Sequence, residues 1–146
     1  MCDRRVTVMK KYLLLTVLVM TLAAIGCRFG QPVGTFAYDF PSAEASKNIS
    51  EKKMHDAIVK ACADTGWRVS EPSSNTIEAT IMVRNKHTVV VSIPYTATHY
   101  SINYKASTNM EYKAKSNGTA SIHPNYNKWV GILDQNIRRN VASSEY

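Results

Sequence analysis

The sequence predicts an α+β fold: an antiparallel sheet with two helices packed on one face, in the order strand, helix, three-strand meander, helix. Three observations carry that prediction. Apolar residues recur at helical spacing in Met54, Ala57, Ile58, Ala61 and Cys62. Three successive runs between Ile77 and Ala106 alternate apolar and polar residues, the period of a half-buried strand. A second helical stripe, Tyr126, Val130, Leu133, Ile137 and Val141, closes the chain. A sheet with one apolar face and two helices with one apolar stripe each bury those surfaces against one another, so a two-layer sandwich is expected.

Taken in order, Phe36, Tyr38 and Phe40 alternate with Ala37 and Asp39 ahead of Pro41. This predicts a first strand at a sheet edge, because proline lacks the donor an interior strand needs. The first helix is expected after Ser50, whose hydroxyl suits a cap, with Ile49 placed to staple onto Met54 and Gly66 to end it. Glu51, Lys52, Lys53, Asp56 and Lys60 fill its other face, and Trp67 begins the return to extended chain. In the meander Ile77, Ala79, Ile81 and Val83 oppose Glu78, Thr80, Met82 and Arg84, with Asn85-Lys86 at the turn. Val89, Val91, Ile93 and Tyr95 oppose Thr88, Val90, Ser92 and Pro94. Tyr100, Ile102, Tyr104 and Ala106 oppose Ser101, Asn103, Lys105 and Ser107. Residues 109–124 read as a polar connection and the most mobile loop, with Asn117-Gly118 as a turn. Asn125 is placed to cap the last helix, and Arg138 and Arg139 suit its C-terminal dipole.

Ahead of the domain, Lys10 and Lys11 precede an uncharged run whose apolar part, residues 13–26, is 14 residues long. A helix needs roughly 20 to cross a bilayer, so the run reads as the apolar region of a secretory signal. Its end, Ala24-Ile25-Gly26-Cys27, resembles the lipobox of bacterial lipoproteins. That resemblance implies cleavage before Cys27, diacylglycerol on its sulfur and acylation of the new amino terminus. Two or more acyl chains attach a protein stably where one is marginal. The alternatives are an exported protein with an incidental cysteine and an uncleaved anchor helix. The expected organisation is a signal over residues 1–26, a lipidated tether over 27–34 and one α+β domain over 35–146. A start at Met9 would set Met-Lys-Lys directly before the apolar run. By analogy with lipoprotein sorting, Arg28 after the cysteine implies the outer membrane, facing the periplasm.

The remaining chain of about 120 residues suits one domain with its own core. The signal holds Arg4, Arg5, Lys10 and Lys11 of the 18 basic residues and Asp3 of the 11 acidic, which leaves 14 against 10 and a charge of +4. That value suits proximity to an anionic lipid surface and gives no support to nucleic acid as a partner. With Cys27 taken by lipid, Cys62 has no disulfide partner and falls on the apolar stripe of the first helix, as a small buried hydrophobe does.

The four histidines, His55, His87, His99 and His123, lack the spacing of metal ligands, and no metal or other cofactor is expected. Nucleophile elbows, phosphate loops and dinucleotide fingerprints are missing from the sequence, and its carboxylates are spread singly, so no catalytic residues are named. One constellation remains. Tyr100, Tyr104, His123, Asn125, Tyr126, Asn127 and Trp129, with Tyr95 and Tyr112 nearby, combine broad aromatic area with polar handles. Such a set can line a groove for a peptide, glycan or small molecule. The same residues also fit structural roles, with Asn125 as a cap, Tyr126 and Trp129 on the sheet and His123 satisfying a loop carbonyl.

These residues also carry a resemblance. Tyr100-Ser101-Ile102-Asn103-Tyr104, Ser107-Thr108-Asn109 and Ile122-His123-Pro124-Asn125-Tyr126-Asn127-Lys128-Trp129-Val130, with Gly66-Trp67 ending a helix, resemble a family of small, uncharacterised bacterial envelope lipoproteins. The likeness spans most of the chain after Cys27. It implies an address rather than a reaction, since the family has no known activity. The expectation is therefore a membrane-anchored lipoprotein whose partners are the membrane, through lipid on Cys27, and another envelope protein. Its domain is expected to be a non-catalytic interaction or structural unit, with a ligand-binding module as the alternative.

Overall fold

A computed structural model describes residues 30–40 and 50–143. The segment expected to be a signal, Cys27, Arg28, Pro41 and Ile49 lie outside the described residues. Among the described residues eight strands and two helices follow one another as β1 (Gln31–Pro32), β2 (Phe36–Asp39), α1 (Glu51–Asp64), β3 (Arg68–Ser73), β4 (Thr76–Val83), β5 (His87–Pro94), β6 (His99–Thr108), β7 (Lys113–Ala114), β8 (Ala120–Ile122) and α2 (Asn125–Ser143). They form a five-stranded antiparallel sheet ordered β2-β6-β5-β4-β3 and a three-stranded one ordered β1-β8-β7. This is the expected α+β sandwich with an added small sheet. Ile77, Ala79, Val89, Val91, Ile93, Tyr100 and Ile102 line one face of the large sheet. Both helices cover that face with Met54, Ile58, Ala61, Val130, Leu133 and Ile137, all fully buried.

The ends of α1 follow from its sequence. Ser50 Oγ accepts the Lys53 N–H at 3.2 Å. At the other end Trp67 N–H donates to the Cys62 carbonyl at 2.8 Å and Gly66 N–H to that of Ala63 at 3.3 Å, with Gly66 at φ 79. These two bonds make a Schellman motif, which needs the left-handed conformation that glycine adopts without strain. Cys62 is fully buried, and burial pushes its thiol up to about 12, so it packs as a hydrophobe.

Five local expectations change. The chain after Trp67 is a full edge strand, β3, that the alternation of Arg68–Ser73 did not reveal because Pro72 and a register shift between Ser70 and Ser73 interrupt it. The β4–β5 turn centres on Arg84-Asn85 rather than Asn85-Lys86, with φ 56 and 51 and a bond from Lys86 N–H to the Val83 carbonyl. In β6 the register slips by one residue, so Val91 faces Tyr104 while Val90 faces Ala106. Lys105 is the extra residue of a bulge, and a one-residue slip exchanges faces. Ala106 is therefore exposed, and Ser107 turns inward to meet Tyr104, their hydroxyls 3.0 Å apart. Residues 109–124 hold β7 and β8 and the fully buried Ile122, with Met110 also in the core, where one polar loop was expected. Lastly, β1 falls within the stretch expected as tether, paired with β8 through Gln31↔Ile122 and Pro32↔Ser121.

The edge strand β3 is tied to α1 by a histidine. His55 Nε2 lies 3.0 Å from Glu71 Oε1 on β3, and Nδ1 lies 3.2 Å from Asp56 Oδ1 on its own helix. Glu71 first and Asp56 second raise the His55 pKa above its ordinary 6.5. Because the folded chain then binds this proton more tightly than the unfolded one, the contact acts at full strength below pH 6.5 and is lost as pH rises through the raised value. Between about pH 6 and about pH 8 the protein should lose more thermal stability than its His55→Gln variant, as read by circular dichroism melts. Identical pH profiles for the two would show that the contact does not stabilise the fold.

Candidate functional site

The bulge and two backbone reversals build a cleft where the two sheets meet. Tyr104, the last inward residue of β6 before the bulge, is half-buried. Asn109 and Glu111 then take positive φ of 57 and 52 and turn the chain back, so that Tyr112 lies flat on Tyr104, ring centroids 4.3 Å apart and planes 8° apart. Opposite them stands the β7–β8 turn. Gly118 at φ 78 closes it through its N–H to the Lys115 carbonyl, and Asn117 Oδ1 accepts both the N–H and the hydroxyl of Thr119. Pro32 and Val33 supply the third wall, with Val33 N–H bonded to the Ala120 carbonyl at 3.1 Å. The cleft measures about 400 Å³ and is lined by Pro32, Val33, Tyr104, Tyr112, Gly118, Thr119 and Ala120. Tyr112 remains 41% exposed, leaving ring surface for a flat or apolar ligand group.

Of the aromatic set named from sequence, Tyr104 and Tyr112 line this cleft. Tyr100 is fully buried and donates its hydroxyl to Asp134 Oδ1 at 2.7 Å. Arg138 takes the other carboxylate oxygen at 2.7 Å and lays its guanidinium 4.2 Å from the centre of the Tyr38 ring. This polar group latches α2 to β2 and β6. Burial, with Asp134 second, raises the Tyr100 pKa. Tyr126 is fully buried with its ring edge-on to Tyr104 at 5.7 Å, and its hydroxyl has no hydrogen-bond partner. Burial first and the Tyr104 phenol second raise its pKa.

The remaining residues of the set shape the start of α2. His123, not Asn125, acts as its cap: His123 Nδ1 accepts the Asn125 N–H at 3.2 Å and its carbonyl accepts the Tyr126 N–H at 3.0 Å. Pro124 follows directly ahead of the helix, where its missing N–H costs nothing. Asn125 is exposed in the first turn, and Trp129 packs half-buried against the core. Asn127 works on the backbone of another segment, its Oδ1 accepting the Gly34 N–H at 2.8 Å and its Nδ2 donating to the Pro32 carbonyl at 2.9 Å. No side chain fits at Gly34, where a Cβ would lie 2.8 Å from the Phe36 ring and 2.9 Å from Asn127 Oδ1. Cys27 lies outside the described residues.

The backbone-rich walls of the cleft escaped the sequence reading, although Asn117-Gly118 was legible as a turn. Nothing local marks that turn as the neighbour of residues 32 and 33, some 85 positions upstream. Among the described residues no three His, Cys, Asp or Glu side chains converge as a metal ion would require, and no helix is long and apolar enough to cross a membrane. Comparison with protein-family models, curated proteins and solved structures finds no match to this chain.

The two buried phenols should respond oppositely to loss of the hydroxyl. Tyr100→Phe strips a donor from a buried carboxylate and is expected to cost about 1.5–3 kcal/mol of unfolding free energy in urea titrations. Tyr126→Phe removes a buried hydroxyl that has no partner, so it should be neutral or stabilising by about 1 kcal/mol. A large loss from Tyr126→Phe would mean that the hydroxyl is satisfied in solution.

Proposed function

We propose that the chain is a bacterial envelope lipoprotein, freed of residues 1–26 and held by lipid on Cys27 at the outer membrane, facing the periplasm. Its domain is a non-catalytic unit that binds or supports another envelope protein. One observation carries the reading: the order Lys10-Lys11, apolar run, Ala24-Ile25-Gly26-Cys27, met three residues later by Gly30. The carboxylates support the non-catalytic part. Asp134 is held by Tyr100 and Arg138, Asp56, Asp64 and Glu78 by lysines, and Asp39 and Glu71 by histidines. Growth on a radioactive fatty acid should label the protein and leave Cys27→Ser unlabelled, with only the former recovered in membranes. Equal incorporation in both would remove the anchor from Cys27.

The cleft favours a second reading, a module that binds a peptide, glycan or small molecule. Stacked Tyr104 and Tyr112 give it an aromatic wall, while the backbone of the β7–β8 turn faces them. Peptidoglycan fragments are the natural probes at this address. Their titration should shift the Tyr104 and Tyr112 proton resonances, and Tyr112→Ala should weaken binding by about 0.5–1.5 kcal/mol, the worth of an aromatic contact. Saturable binding that ignores Tyr112→Ala would place the ligand elsewhere.

A further inference from the structure

We infer that one end of the domain, built from the small sheet, the β4–β5 turn and the first turn of α2, is a docking face for anionic lipid headgroups. The inference rests on the lipid anchor proposed above. Two independent features of the fold meet at this end.

The first is where the chain emerges. β1 starts at Gln31, and Gly30 is three steps along the chain from Cys27, a reach of at most about 11 Å when fully extended. That distance is comparable with the roughly 8 Å over which charges act at physiological ionic strength. A bilayer holding lipid on Cys27 therefore lies within electrostatic range of whatever surrounds β1.

The second is what surrounds it. A chain of contacts gathers the neighbouring segments: Asn127 brackets β1, and His123 N–H donates to the Met110 carbonyl. Asn109 Nδ2 donates to the Lys86 carbonyl, and His87 Nδ1 to that of Asn109. On these segments lie Arg84, Lys86, Lys113, Lys115 and Lys128, all exposed, and among the described residues none forms an ion pair. Lys113 and Lys115 are two apart on β7 and its extension, so they share one face. Glu111 is the one carboxylate between residues 109 and 128. Elsewhere Lys52, Lys60, Lys105 and Arg138 are each matched by a carboxylate, and the cations without such a match among the described residues, Lys53, Arg68 and Arg139, are spread singly over α1, β3 and α2. The far end, where α1 begins, is acidic instead, with Glu51, Asp56 and Glu71 around His55 and Tyr95. Unmatched cations at the end where the anchor leaves the fold complement a surface of phosphate headgroups, each adding about five-fold to membrane affinity.

The test uses the full chain purified with its lipid, in vesicles of phosphatidylcholine with or without phosphatidylglycerol. A water-soluble amine-acetylating reagent is added, and labelling of each lysine is read by peptide mass spectrometry. With phosphatidylglycerol present, Lys86, Lys113, Lys115 and Lys128 should label several-fold more slowly while Lys52 and Lys53 label equally, and high salt should erase the difference. The double variant Lys113→Glu, Lys115→Glu should lose the protection of Lys86 and Lys128. Equal labelling in both vesicles, or slowing that falls on Lys52 and Lys53, overturns the docking face. The Cys27 peptide in the same map separates the two readings: acyl mass with equal labelling removes the docking face alone, whereas no acyl mass removes the anchor and the inference with it.

Discussion

The Asn127 side chain holds together the parts of this protein that matter for its surroundings. An amide that accepts from one backbone N–H and donates to a backbone carbonyl two residues away offers the same pair of bonds as a neighbouring strand. By supplying them to Gly34 and Pro32, Asn127 fixes the entering chain against the first turn of α2. β1 can then pair with β8, which builds the small sheet, one wall of the cleft and the end of the domain next to Gly30. Gly34 is part of the same constraint, since the approach leaves no room for a Cβ. Without the bracket, a two-residue strand would have little to hold it, because so short a ladder offsets almost none of the entropy lost on ordering.

A second constraint comes from the bulge in β6. Long, regular alternation would have carried Tyr104, Ala106 and Thr108 along one face and left the inner side of the strand apolar to its end. The extra residue at Lys105 instead turns Ala106 outward and ends the apolar face at Tyr104, where Tyr112 and Tyr126 gather around it, while Lys105 pairs with Glu78 on the outer side. The large sheet thus has two regimes. Its first part meets the helices and closes the core, and its last part meets the small sheet and leaves a cleft. The buried Tyr100–Asp134–Arg138 group belongs to the first regime and orients α2, on whose opening turn the cleft wall depends.

How much of this was legible in the chain differs by element. The stripe on α1, its Ser50 cap and Gly66 stop, and the inward faces of β4 and β5 could be read because each depends on neighbours within a few residues. The edge strand β3 was hidden by Pro72, and the small sheet by the length of its strands, two or three residues, too short for any period to show. Among the tyrosines the sequence named a set without distinguishing its members. Tyr100 and Tyr126 proved to be core, while Tyr104 and Tyr112 share a wall, a division that depends on the two positive-φ residues that turn Tyr112 back onto Tyr104.

By itself, then, the chain determined its α+β class and the apolar stripes of its helices and strands, because period and capping are local properties that sequence spacing records directly. The tertiary structure decided which side the end of β6 beyond Tyr104 presents to the core, which histidine or asparagine caps α2, and that residues 30–34 belong to the fold. It also decided that five unmatched cations stand at the end where the chain enters. Those outcomes arise from contacts between residues up to 95 positions apart, such as Asn127 with Pro32, and from a slip of a single residue in register. Neither leaves a periodic trace, since long-range pairing is chosen by the packing of the whole and not by the residues on either side.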